Sequence, residues 1–388
     1  MQVQKYKQTE IGLIPKDWKV TELKDLGIVS TGKTPSTSVE KYWGGNILFI
    51  TPSDLGITKY VNDTERKVTL EGAELVGLLP KNTVMVVCIG STIGKTGIIK
   101  NQGITNQQIN SIICQENVDF GYVYYSLSNN SNLFKNYSGI AAVPIINKTL
   151  FEKIRIPLPS FSEQNQISEV LLTVDSRLDI VERERQRIER LKVGIMKKLF
   201  DGKKWKIINL SEVVEIFDNK RIPLNSMERS KLKGQYPYCG ANGIVDYINK
   251  FAYDGEYLLL AEDGGDYGKL GDSSYIMNGK FWVNNHAHVL KAIEGKTTNE
   301  FLFYILNFMD LTTYIVGSTR TKLNQKRLQQ IQIPLPELKE QLHIIAILKT
   351  VDKKLSIQQS KKSKLENIKK SLMNDLLTGE KRIKEKNE

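Results

Sequence analysis

The stretch Ile154-Arg-Ile-Pro-Leu-Pro-Ser-Phe-Ser-Glu-Gln164 returns as Ile331-Gln-Ile-Pro-Leu-Pro-Glu-Leu-Lys-Glu-Gln341, shifted by 177 positions. Reading outward, Val174-Asp175 becomes Val351-Asp352 and Gly202 becomes Gly379 at the same shift, without a gap. Upstream, Trp18-Lys-Val-Thr-Glu-Leu-Lys-Asp-Leu26 is echoed by Trp205-Lys-Ile-Ile-Asn-Leu-Ser-Glu-Val213, at a shift of 187. Self-similarity at so long a period means a duplicated domain with its connector, not a solenoid. A chain of 388 residues is long enough to give each copy its own core.

The connector reads as a helix. Ser160-Phe-Ser-Glu163 spells a capping box, in which Ser accepts from the third amide and Glu reaches back to the first. From there Ile167, Leu171, Val174, Leu178, Val181, Arg185, Ile188, Lys192, Ile195 and Leu199 keep a 4,3 spacing. The copy gives Ile344, Leu348, Val351, Leu355, Gln358, Lys362, Leu365, Lys369, Leu372 and Leu376. Sustained heptads form a coiled-coil seam, so the two helices are expected to pack on each other. Only Gly202-Lys-Lys204 separates the first helix from Trp205, which leaves no return connection for a parallel pair. An antiparallel rod is expected, roughly 55–60 Å long at about 1.5 Å per residue.

The domains before the helices read as mixed. Asn46 to Ile50, Val84 to Ile89 and Ile109 to Ile113 are short apolar runs of strand character, and Phe120 to Phe134 and Phe301 to Met309 carry apolar residues at helical spacing. Val84 to Gly97 aligns with Leu258 to Gly271, and Thr105 to Asn110 with Val283 to His288, so the framework is kept while the polar residues change. The expected segments are 1–159, a domain; 160–202, a helix; 203–336, a second domain; and 337–388, a second helix with a basic tail. The fold class is α+β: two similar mixed α/β domains joined by two long antiparallel coiled-coil helices, with pseudo-two-fold symmetry.

Lys and Arg exceed Asp and Glu by 55 to 43, a net +12, which favours a polyanionic partner such as nucleic acid. Three scattered cysteines, Cys88, Cys114 and Cys239, exclude a disulfide framework and a zinc cluster. The N-terminus lacks an apolar signal core and no run approaches about 18 apolar residues, so a cytoplasmic protein without membrane contact is expected.

Catalytic patterns fail on inspection. Gly90-Ser-Thr-Ile-Gly94-Lys95-Thr96 lacks the earlier glycine that a phosphate loop needs, since position 89 is Ile. Glu65-Arg66-Lys67 with Asp54 only faintly resembles a metal nuclease, and His286, His288 and His343 have no clustered co-ligands, so no metal site is expected. No methyl-donor glycine signature and no Asn/Asp-Pro-Pro-aromatic sequence is present. The chain reads as non-catalytic; the alternative is a stand-alone nuclease or methyltransferase with atypical motifs.

What remains is DNA-competent. Asn106, Gln107, Gln108 and Asn110, with Asn284, Asn285, His286 and His288, are polar groups of the kind that meet base edges, although they equally suit backbone groups inside a loop. Lys33 beside Thr34, Ser91, Thr92 and Lys95 in the glycine-rich turn, Lys220-Arg221, Lys269, and Thr319, Arg320 and Lys322 suit phosphate contacts.

Glu10-Ile-Gly-Leu-Ile-Pro-Lys-Asp-Trp18, the two Ile-x-Ile-Pro-Leu-Pro phrases with their Glu-Gln pairs, and Leu372-Met-Asn-Asp-Leu-Leu-Thr-Gly379 form an ordered set spanning nearly the whole chain. In this the chain resembles the specificity subunit of type I restriction-modification systems. The resemblance implies two target-recognition domains, each reading one half of a bipartite asymmetric site in double-stranded DNA, with helices that fix the spacer. It also implies two modification subunits that bind S-adenosylmethionine and methylate adenine, and restriction subunits that use ATP and Mg2+. Those cofactors belong to the partners, and none is expected in this chain.

Overall fold

The computed structural model describes residues 6–56, 58–129, 134, 144–317 and 321–383. It divides into two compact units, Met1–Val181 with Lys361–Glu388, and Glu182–Ser360. The division runs through both long helices, Phe161–Phe200 and Leu338–Leu377, so each unit holds one domain and the adjoining part of each helix.

In the first unit the main sheet orders Gly27–Thr31, Ile109–Cys114, Val84–Val87, Thr96–Ile99 and Tyr60–Val61. In the second, Val214–Ile216, Ala287–Ala292, Tyr257–Ala261 and Ser274–Met277 follow the same order. Each unit adds a smaller sheet around a parallel pair: Gly103–Thr105 on Trp43–Ile50, and Lys280–Val283 on Lys233–Gly240. Val84–Val87 and Tyr257–Ala261 are buried throughout, as continuous apolar runs such as Val84-Met-Val-Val87 require. A helix covers each main sheet, Phe120–Asn129 and Asn299–Phe308. The first expected helix was to extend to Phe134, but residues 130–133 lie outside the described set.

Each Ile-x-Ile-Pro-Leu phrase is a strand paired antiparallel with the strand after the tryptophan: Arg155–Leu158 with Lys19–Glu22, and Gln332–Leu335 with Lys206–Asn209. The prolines are tolerated because each pairing is a two-stranded edge. After it, Gln164 and Gln341 are buried and play one part twice. Each donates to a proline carbonyl five residues back, Pro159 at 3.0 Å and Pro336 at 2.9 Å. Each accepts from its domain, through the Asp119 amide and the Thr297 hydroxyl.

The long helices span 40 residues each, and every heptad position named above is buried or half-buried. In the first unit Ile167 and Leu171 share a core with Leu372, Leu376 and Trp18; in the second Ile195 and Leu199 share one with Ile344 and Leu348. The start of one helix thus meets the end of the other within each unit, which is antiparallel pairing. Both helices stop at a left-handed glycine, Gly202 at φ +69° and Gly379 at φ +72°, where a residue with a Cβ is disfavoured.

One expectation is corrected. Ser160 does accept from the Glu163 amide at 3.3 Å, but the Glu163 carboxylate does not close the capping box. It takes the Trp18 indole N–H at 3.1 Å and two bonds from Arg382, at 2.5 and 2.7 Å, because the charged partner outcompetes a backbone amide. Arg382 also forks onto Asp17 at 2.9 and 3.0 Å.

Candidate nucleic-acid interface

In each unit the polar loop that follows the smaller sheet's parallel strand has one backbone design. The side-chain oxygen of Asn106 accepts from the Gln108 amide at 3.1 Å, and that of Asn284 accepts from the His286 amide at 2.8 Å. Both are Asx turns, which Asn favours because its side chain replaces a backbone acceptor two residues on. The amides of Asn106 and Asn284 bind the carbonyls of Ile50 and Cys239, and the carbonyls of Gln108 and His286 accept from the amides of Cys88 and Glu262. The loop is therefore held at the end of the main sheet by equivalent bonds in each unit.

Directly beside it a second segment crosses. Ile145 bridges Ile89 in the first unit, and Lys322 bridges Asp263 in the second. Behind the loop, Asn110 donates to the Ile146 carbonyl at 3.2 Å and accepts from Thr31 at 2.7 Å. His288 occupies the matching place, its Nε2 2.6 Å from the Leu323 carbonyl oxygen and its Nδ1 2.5 Å from Asp218.

These facts place the expected DNA-contacting residues. Asn110 and His288 are 2% and 1% exposed and fully engaged, so both are corrected to internal struts. Asn284 is also buried and shapes its turn. Gln107 and Asn285 are exposed at the loop tips, Asn106 and Gln108 are half-buried and bonded to each other at 3.0 Å, and Thr34 reaches Gln107 at 3.0 Å. Lys33 and Thr34 beside it are both exposed, next to the same loop.

The glycine-rich turn is not a phosphate cradle. The amides of Gly90, Ile93, Gly94 and Lys95 are donated to the carbonyls of Pro144, Gly90, Val87 and Thr92. The side chains of Ser91 and Lys95 are exposed and that of Thr92 half-buried. Lys269, its expected counterpart, instead pairs with Asp201 at 3.0 Å, just past the end of the first long helix. Thr319 and Arg320 lie outside the described residues.

In the second unit the loop sits in a charged cluster. Arg221 is 15% exposed and donates to Glu262 at 2.7 Å and to the Ala287 carbonyl at 3.0 Å, while Lys220 beside it is exposed. Lys322 lies 3.4 Å from Glu262 and 3.7 Å from Asp263, and Asp263 holds His286 Nδ1 at 2.8 Å. Glu262, Asp263 and Asp218 escaped sequence reading. The signal was available, since Cys88-Ile89 aligns with Glu262-Asp263 in the Val84 to Gly97 match.

A second repeated constellation ties each domain to the helices. Tyr125 donates to Asp175 at 2.6 Å and Lys369 pairs with the same carboxylate at 2.6 Å. Tyr304 donates to Asp352 at 2.7 Å, which Lys192 pairs at 2.6 Å. Asp175 and Asp352, like Lys192 and Lys369, are separated by the 177-residue shift. Burial and the neighbouring carboxylate push both tyrosine hydroxyls far above their usual range.

Nothing in the described residues forms a group of three or more His, Cys, Asp or Glu able to hold a metal ion. The three cysteines are unpaired, and burial pushes each thiol up to about 12, away from nucleophilic use. No helix among the described residues is long and apolar enough to cross a membrane.

Comparison with known proteins agrees with this duplication. The family described as type I restriction modification DNA specificity domain matches twice, over residues 15–190 and 202–367. The type I restriction enzyme MjaIX specificity subunit of Methanocaldococcus jannaschii is 26% identical over 98% of this chain and 97% of its own. A putative type I restriction enzyme specificity subunit of Haemophilus influenzae is 39% identical over 39% of each chain. The crystal structure of a type I restriction-modification S subunit from M. genitalium shares the fold, with a TM-score of 0.64 at 16% identity over 96% of this chain and 98% of that one. Carrying that domain twice, this chain belongs to the family of type I restriction-modification DNA specificity proteins.

Proposed function

We propose that this chain is the non-catalytic, sequence-reading subunit of a type I restriction-modification complex. The observation that carries the reading is the doubled family domain, each copy presenting the same Asx-turn loop at the end of its main sheet with different exposed chemistry. Each domain reads one half of a bipartite asymmetric site in double-stranded DNA. The segments 1–159 and 203–336 are the readers, and 160–202 and 337–388 supply the spacer helices, which also dock two modification subunits. Restriction subunits complete the assembly in the cytoplasm. S-adenosylmethionine, ATP and Mg2+ serve those partners. The side chains of Lys33, Thr34, Ser91, Lys95, Gln107, Lys220 and Asn285 supply phosphate and base-edge contacts.

Exchanging Trp18 to Pro159 for a homologous domain should change one half of the methylated sequence and leave the other intact. A change in both halves, or in neither, refutes two independent readers. Inserting one heptad into both helices should alter the spacer alone. A stand-alone nuclease or methyltransferase would instead turn over DNA as the purified chain with Mg2+ and S-adenosylmethionine.

A further inference from the structure

The equivalent bonds put three side chains of each unit in matching places. The amides of Cys88 and Glu262 donate to the carbonyls of Gln108 and His286, which makes Ile89 the counterpart of Asp263 and Gln108 that of His286. The bridges Ile89 to Ile145 and Asp263 to Lys322 make Ile145 the counterpart of Lys322. One frame therefore displays Ile89, Gln108 and Ile145 in the first unit and Asp263, His286 and Lys322 in the second.

The struts behind each triplet are matched in geometry too, Asn110 with Thr31 and His288 with Asp218. The frame is thus kept while its outer face passes from neutral to charged. Ile145 is 49% exposed, an apolar side chain in a place where packing does not demand one. The side chains of Asp263, Lys322 and His286 are 26%, 38% and 49% exposed. Arg221 and Glu262 lie deeper and hold the cluster in place, Arg221 through its further bond to the Ala287 carbonyl.

The Asp263 carboxylate already faces His286 Nδ1 and Lys322, which offsets its repulsion from phosphate and leaves lone pairs for one further donor. In the major groove cytosine N4 offers that donor, while guanine O6 and N7 accept from lysine. A neutral amide flanked by isoleucines has the opposite complement: adenine N6 and N7 for the amide, the thymine methyl for the apolar side chains.

Resting on the reading of each domain as a DNA reader, we infer that the two units use one frame to read opposite kinds of base pair. Asp263, Lys322 and His286 read a G·C pair in the half-site of the second domain. Ile89, Gln108 and Ile145 read an A·T pair in the half-site of the first.

The test uses the full chain with its modification subunits in cells, and reads the methylated motif by base-resolved sequencing. The domain exchange described above assigns each half to its domain. Asp263→Asn and Lys322→Met should each relax one and the same G·C position in the second half, with discrimination there falling roughly tenfold to a hundredfold. Neither should alter the first half. Ile145→Ser should relax an A·T position in the first half only.

The inference is overturned if Asp263→Asn and Lys322→Met both keep the wild-type motif at wild-type levels, or if the relaxed position is an A·T pair. It is also overturned if both variants lose methylation without any base-specific change while circular dichroism reports a folded chain, since a purely structural cluster behaves that way. Failure of the underlying reading looks different. There the wild-type complex itself yields no bipartite motif.

Discussion

Replacing Arg382 with alanine tests how the chain's closing segment is held. The Glu163 carboxylate is 9% exposed and is met by Arg382 through two short bonds, with the Trp18 indole as a further donor. Removing one partner of a buried ion pair costs about 3–5 kcal/mol, because the other charge is left without compensation. Arg382 is 27% exposed, so water reaches part of the vacated space, and the retained Trp18 bond offsets more. The Asp17 arm adds little, since Asp17 is 63% exposed and exposed pairs are screened. The expected loss for Arg382→Ala is about 2–3 kcal/mol in the first unit.

A double-mutant cycle with Glu163→Gln isolates the charge. Once that carboxylate has become a neutral amide, the same Arg382→Ala change should cost under about 1 kcal/mol, a coupling of at least about 1 kcal/mol. The assay is urea-dependent hydrogen exchange of peptides covering residues 161–181. The hydrogen bond from Arg382 holds the Asp17 carboxyl below its usual range, so the small Asp17 contribution is present at neutral pH and is lost as pH falls through that lowered value. Arg382→Ala should lack this fade. Equal losses in both backgrounds, or a loss below about 0.5 kcal/mol, would refute the argument.

Other perturbations probe separate contacts. Tyr125→Phe and Tyr304→Phe should each cost about 1–2 kcal/mol in their own unit, because a bond to a carboxylate is lost while Lys369 or Lys192 still satisfies the acceptor; urea unfolding with domain-resolved exchange reads this. Lys59 lies against the rings of Tyr60, Tyr124 and Tyr125, and burial pushes its amine down to about 8. The unfolded chain then binds more protons above that pH, so first-unit stability should rise between pH 8 and about 10, and Lys59→Gln should flatten that rise in thermal unfolding. Alanine at Gly202 meets nothing within 4 Å and should cost only the left-handed strain, about 1–2 kcal/mol. Alanine at Gly379 would place its Cβ 2.4 Å from Pro15 and should cost about 1–3 kcal/mol more, a difference visible in local exchange at the two helix ends.

The duplication, the two helices and their seam were legible because each rests on local periodicity. Leu171 and Leu348 are fully buried where the 4,3 spacing put them, and even the polar seam positions Lys192 and Lys369 are half-buried, each on an aspartate. The candidate nucleic-acid interface was less legible. Asn110 and Gln107 are both amides three positions apart, yet one is a buried strut and the other a loop tip. Strand alternation and a turn decide between them, and composition carries neither. Asp263, His286 and Lys322 come from three separate segments, so no spacing joined them until the sheet did. The capping box was misread for a similar reason: Arg382 is 219 residues from Glu163 and spells nothing near it.

The crossed aspartate-tyrosine-lysine constellations have a consequence for ancestry. Each long helix carries an aspartate that one unit uses and a lysine that the other uses, Asp175 and Lys192 on the first, Asp352 and Lys369 on the second. Either helix therefore holds both complementary halves of one pairing code. A single ancestral copy, with its aspartate facing the lysine of an identical chain, would already have been self-complementary, and fusion of two such copies would preserve every one of those pairings without inventing a new one.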